Sequence, residues 1–96
     1  MTAQLDPIIH PTHRLKICAM LDTATTVEMS VIKDVVGLSA SALSKQVAAL
    51  VEAGYVVQER SDKDSRRIWL TITRDGRKAF RSHVKALKAI VADIPG

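Results

Sequence analysis

Ninety-six residues, 47% hydrophobic and 25% charged, fit one globular domain and exclude a disordered chain. Fourteen lysines and arginines against ten acids leave a formal charge of +4, which favours nucleic acid or an anionic surface without establishing either. Cys18 is the only cysteine, which excludes an internal disulfide and a Cys/His metal framework and fits a reducing cytoplasm; no apolar run approaches the roughly 20 residues of a membrane span, and the first residues lack a signal-peptide pattern.

Residues 1–10 read as an arm, in which Leu5, Ile8 and Ile9 are too apolar for a free tail. The arm is expected to dock on its own domain or on a partner. A first helix is predicted from Thr12, as N-cap, to Asp22, with Leu15, Cys18, Ala19 and Leu21 facing a core. Residues 24–28 are β-prone and short and predict a small strand. A second helix spans Ser30 to Val36, capped by Ser30 and ended by Gly37, which tolerates the left-handed conformation. Ser39 stands where the next N-cap belongs. A third helix follows from Ala40 to Ala53, with Leu43, Val47 and Leu50 on its buried side and Gly54 closing it. Two helices across a tight Gly-Leu-Ser turn make residues 30–54 a helix-turn-helix.

Two β-prone runs come next, Tyr55–Arg60 and Arg67–Thr71, around a polar Ser-Asp-Lys-Asp-Ser-Arg stretch. They predict a hairpin over 55–72 with a charged tip. Thr73 then caps a helix that runs to about Ile94, with Asp75 in its first turn where an acid suits the helix dipole. The fold class is therefore mainly α with a small β-hairpin. It is a winged helix-turn-helix with a long C-terminal helix, one domain over 1–96.

With Leu43 at the centre of the buried face and ~100° per residue, Ser41, Ser44, Lys45 and Ala48 point outward. Small side chains let a helix backbone approach the major groove, while hydroxyls and Lys reach bases and phosphates. Ser39 and Ala40 at the N-terminal end and Gln46 on the flank complete the candidate surface. The alternative is a plain solvated face. On the hairpin, Lys63, Arg66 and Arg67 mark the tip and Arg60 its base, with Asp62 and Asp64 interleaved. A basic tip suits the negative potential of a narrow minor groove. Asp64 is expected to accept from Arg66 in a two-pronged pair and fix its direction. Incidental surface ion pairs are the competing reading.

These residues resemble a family. The run Gly37-Leu38-Ser39-Ala40-Ser41-Ala42-Leu43-Ser44-Lys45-Gln46-Val47, continuing to Ala53-Gly54-Tyr55-Val56, looks like the recognition helix of bacterial and archaeal winged-helix regulators. Asp64-Ser65-Arg66 is similar to the Asp-x-Arg wing motif of the multiple-antibiotic-resistance regulator (MarR) family. Leu70-Thr71-Ile72-Thr73-x-x-Gly76-Arg77 resembles the segment after that wing, and Leu5-Asp6-Pro7-Ile8-Ile9-His10 resembles the opening of its short members. The resemblance implies a dimeric transcriptional regulator that binds double-stranded DNA. Arg66 would be the minor-groove residue with Asp64 as its support, and Ser41, Ser44 and Lys45 would face the major groove. Longer members carry extra helices that build an effector pocket, and this chain has little from which to build one.

On the last helix Phe80, Leu87 and Ile94 fall seven apart, with His83 and Ile90 between them and Val84 and Val91 alongside. This heptad seam predicts a homodimer, helped by Leu5, Ile8 and Ile9. The competing arrangement packs the seam on those three residues of the same chain. Lys78, Arg81, Lys85 and Lys88 form a solvated basic stripe opposite. Cys18 is expected in the core rather than as a redox sensor. His10, His13 and His83 lack partners at ligand spacing, so no metal is expected, and His83 reads as a hydrogen-bonded interface residue sensitive to pH. No cofactor or catalytic motif is present, so an enzyme is not expected. An interaction module without DNA binding remains the alternative function, although it would carry apolar residues where this chain has Ser, Lys and Arg. Single-stranded RNA binding would need exposed aromatics, and Tyr55, Trp69 and Phe80 all read as buried.

Overall fold

The computed structural model describes residues 4–95. Its order is α1 (Thr12–Ala24), β1 (Thr26–Glu28), α2 (Met29–Val36), α3 (Ala40–Glu52), β2 (Val56–Arg60), β3 (Ile68–Ile72) and α4 (Arg74–Ala92).

Two helix starts differ from expectation. Pro11 occupies the N-cap of α1, so Thr12 is the first helical residue and caps nothing with its side chain. Proline suits a helix start because its fixed φ is already close to helical and its missing N–H is not required there. Glu28, the last residue of β1, stands at the N-cap of α2, and Ser30 lies inside the first turn. The strand leads straight into the helix and leaves no room for a serine cap. Two other caps form as expected. Ser39 Oγ accepts from the Ala42 N–H at 3.2 Å, and Thr73 Oγ1 accepts from the Gly76 N–H at 2.9 Å. Gly37 ends α2 at φ 76° in the left-handed region.

The small strand expected before the helix-turn-helix joins the hairpin as a third strand. β3 is central in the order β1-β3-β2, antiparallel to both neighbours, with Val27 opposite Leu70 and Val56 opposite Ile72. Leu70 and Ile72 alternate inward, while β2 buries only Val56. The strand before the helix-turn-helix thereby anchors the root of the wing.

The core joins Ile17, Cys18 and Leu21 of α1, Ile32 and Val36 of α2, Leu43, Val47 and Leu50 of α3, Leu70 and Ile72 of β3, and Phe80 of α4. Burying one such side chain contributes ~1.5–3 kcal/mol. The inward stripe of α1 includes Ile17, while Ala19 is exposed and Leu15 half-buried. Cys18 is fully buried, and burial, seconded by the charge of Asp6, pushes its thiol up to about 12.

The arm also belongs to this core. Ile9 is fully buried, Ile8 packs beside it, and Arg14 donates to the Ile8 carbonyl at 3.1 Å. Asp6 holds the turn, its Oδ1 accepting from the Ile8 N–H at 2.8 Å and its Oδ2 from the Tyr55 hydroxyl at 2.6 Å. The heptad pattern and the arm place Ile9, Phe80 and His83 on an intermolecular seam, and in the structure all three are buried within their own chain. The first turns of α4 lie on α1 and the arm, and that packing consumes the N-terminal half of the heptad pattern. Val84 and Leu87 are half-buried, and the pattern emerges into solvent at Ile90, Val91 and Ile94. Among the described residues, no single helix is long and apolar enough to cross a membrane.

Candidate nucleic-acid interface

α2 and α3 meet at 110°. This crossing buries Leu43, Val47 and Leu50 and turns the other side of α3 outward. Ser41, Ser44 and Lys45 are exposed on it, with Ser39 and Ala40 at its start. No acid occupies the first turn of α3. The Ser39 hydroxyl is engaged by its own helix as the cap. Gln46 is half-buried, and its Oε1 accepts from Arg14 Nε at 3.0 Å. Its carbonyl end thus ties α3 to α1 rather than standing free on the flank.

The wing tip is organised by Asp64. One carboxylate oxygen accepts from the Arg66 backbone N–H at 3.0 Å and from Arg66 Nε at 3.2 Å. These bonds hold the Asp64 carboxyl below the usual carboxylate range. The pair uses a single oxygen, unlike the expected two-pronged one, which leaves the two terminal amino groups of Arg66 free. The Arg66 side chain is 90% exposed. Ser61 Oγ accepts from the Lys63 and Asp64 N–H groups at 3.3 and 3.4 Å, and the Arg60 guanidinium donates to the Ser65 carbonyl, so the loop is braced from within.

Arg67 is not at the tip. Its Nε and Nη2 donate to the two carboxylate oxygens of Glu28 at 3.3 and 3.0 Å, and its guanidinium lies 5.5 Å from the centre of the Trp69 ring. The Arg67 bonds hold the Glu28 carboxyl below its ordinary range. Arg67 therefore braces the root of the wing against the β1–α2 junction. Sequence reading overlooked Glu28 because the two residues lie 39 positions apart. Its only local signal is its place between a short strand and a helix. The basic stripe on α4 is also partly engaged, since Arg81 Nε donates to Asp22 at 3.1 Å, and the neighbouring Arg77, outside the stripe, donates to the Asp22 carbonyl and to Thr25 Oγ1. His10 and His83 meet edge to face at 5.4 Å, and no cluster among the described residues is suited to a metal ion.

The sequence model of the winged helix DNA-binding domain matches residues 13–91. The chain belongs to the winged helix DNA-binding domain family. Among solved structures, this winged helix domain is similar to a transcriptional regulator homologue from Pyrococcus horikoshii, at 25% identity and a TM-score of 0.84, with 91% of this chain and 89% of that one covered. It also shares its fold with YusO of Bacillus subtilis, at 24% identity and a TM-score of 0.76, covering 92% of this chain and 59% of that one. AbfR, solved bound to DNA, matches at 22% identity and a TM-score of 0.76, covering 85% of this chain and 60% of that one. The chain thus spans less than two thirds of the latter two proteins. No curated protein matches it significantly. The winged helix-turn-helix expected from the sequence is the fold of this family.

Proposed function

We propose that this winged helix domain binds double-stranded DNA as a homodimer and regulates transcription. In this reading α3 lies in the major groove, with Ser41, Ser44 and Lys45 against base edges and Ser39 and Ala40 allowing close approach. Lys63 and Arg66 take phosphates and the minor groove. The carrying observation is the exposed, acid-free start of α3 beside an Arg66 aimed by Asp64. The likeness in fold to AbfR, a protein solved on DNA, supports it. The dimer reading rests on Ile90 and Val91, exposed on the last turns of α4, and on Ile94, exposed just beyond it, with Val84 and Leu87 half-buried on the same helix.

Genomic footprinting followed by anisotropy titrations on the recovered duplexes tests DNA binding. Specific sites with two-fold symmetry are expected, and a protein that retains no duplex at any salt concentration sinks the proposal. Light scattering tests the dimer. Val91→Glu is expected to give a folded monomer, because Val91 is already exposed in the single chain. A wild type that is monomeric at roughly tens of micromolar overturns the homodimer.

A further inference from the structure

A cleft of about 240 Å³ opens between the start of α2, the first half of α3 and the root of the wing. Leu43 and Ile68 supply apolar lining, and Lys33, Ser44 and Arg66 bring polar groups to it from three different elements. Lys33 and Ser44 are exposed. Neither side chain makes a hydrogen bond or ion pair among the described residues, and Arg66 keeps its terminal amino groups free. One acid, Glu28, also lines the cleft, but Arg67 already holds both of its carboxylate oxygens. The local balance is therefore two available cations and a free hydroxyl against a carboxylate that is neutralised in place.

We infer that this cleft is a cradle for one sugar-phosphate strand of the bound duplex. A phosphodiester sits between Lys33 and Arg66 and accepts from the Ser44 hydroxyl. The inference rests on the DNA-binding reading above and adds Lys33, a residue of the first helix of the helix-turn-helix that periodicity on α3 does not reveal. If α3 enters the major groove and the wing tip the minor groove, the strand dividing the two grooves crosses the surface between them, and this cleft is that surface. The Glu28–Arg67 pair acts as a positioning device. It keeps the carboxylate from repelling the phosphate and holds the wing root to the helix-turn-helix, so that both walls of the cradle stay at a set separation. A phosphate contact carries no base information, so Lys33 contributes equally on every sequence.

The test is the salt dependence of binding to a random-sequence duplex and to a footprinted one, by fluorescence anisotropy, for wild type, Lys33→Ala, Lys33→Arg and Lys88→Ala. Each lost phosphate contact flattens the slope of log affinity against log salt by about one unit per bound subunit. Lys33→Ala is expected to show that change on both duplexes with an unaltered melting temperature. Lys33→Arg is expected to restore the slope, and Lys88→Ala, on the exposed side of α4, to leave it unchanged. A wild type that binds duplex while Lys33→Ala superimposes on it at every salt concentration overturns the cradle alone. A loss confined to the footprinted duplex also overturns it, because Lys33 would then read bases. A wild type that ignores duplex DNA overturns the DNA-binding reading, and the cradle with it.

Discussion

The backbone N–H of Asp6 donates to Nδ1 of His83 at 2.8 Å, across 77 positions of sequence. An imidazole that accepts at Nδ1 carries its proton on Nε2. That atom is buried and has no partner among the described residues. Protonation would set a second N–H against that of Asp6 and place a charge where no water reaches. The bond therefore holds the arm on α4 only while His83 is neutral.

Stability should follow that proton. Burial, and secondarily His10, lower the His83 pKa below its ordinary 6.5, while the Asp6 charge opposes them. The unfolded chain then binds the proton more readily than the folded one, so stability rises with pH across the interval between the two values. The contribution is complete above 6.5 and is lost as pH falls from 6.5 towards the folded value. Urea unfolding from pH 7.5 to 5 is expected to show a falling midpoint in wild type and a flatter profile in His83→Asn, which keeps an acceptor near the Nδ1 position. Parallel profiles would remove His83 from the account.

Tyr55 makes the other contact of the same aspartate. Its hydrogen bond to the Asp6 carboxylate, with burial and the Asp6 charge adding to it, pushes the phenol from 10.0 up to about 12. Tyr55 is the only tyrosine, so the rise in phenolate absorbance on alkaline titration reports this group alone. A midpoint near 12 is expected in the folded protein and near 10 in urea. The stabilisation by this pair is complete below 10 and disappears as pH rises towards 12. Tyr55→Phe at neutral pH is expected to cost about 1.5 kcal/mol, as for a hydrogen bond to a charged group at a partly exposed site.

Gly76 lies in the first turn of α4, where alanine would ordinarily favour a helix by up to about 1 kcal/mol. Here a Cβ would stand 2.1 Å from the Tyr55 carbonyl oxygen. That oxygen already accepts from the Thr73 N–H at 2.9 Å and cannot easily withdraw. The clash decides the sign. Gly76→Ala should lose at least about 2 kcal/mol, in the range of core overpacking, and a denaturation midpoint at or above wild type would contradict the close approach.

Lys45, Arg66 and Arg67 should separate in DNA titrations. Arg66→Ala is expected to weaken binding on all duplexes, with some added loss at A·T-rich flanks where the minor groove narrows. Lys45→Ala should lower the ratio of specific to random binding, since a lost base contact costs ~1–3 kcal/mol on the preferred site. Arg67→Ala is expected to disturb the wing root and to free the Glu28 carboxylate beside the cradled phosphate, so that it flattens the salt slope less than Arg66→Ala does. A salt slope reduced as much by Arg67→Ala as by Arg66→Ala would place Arg67 on the DNA instead.

Local chemistry made much of the molecule legible in the sequence. The order of elements, the caps at Ser39 and Thr73, the left-handed stop at Gly37 and the buried stripe of α3 depend on neighbours within four residues. So does the Asp64–Arg66 turn, and so does the outward direction of Ser41, Ser44 and Lys45, which follows from helical periodicity once Leu43 faces inward. Other features depend on which surfaces meet, and only the tertiary structure decided them. A heptad pattern specifies a stripe but not its occupant, and the arm and α1 took Phe80 and His83 before any second subunit could. Arg66 and Arg67 are adjacent and alike in composition, yet one points to solvent and the other to Glu28, because β1 adds to the sheet beside β3 and brings a carboxylate from 39 positions away. Gln46 meets Arg14 across 32 positions because α1 packs against α3. Long-range pairing of this kind is set by the packed arrangement of the elements, and no local period encodes it.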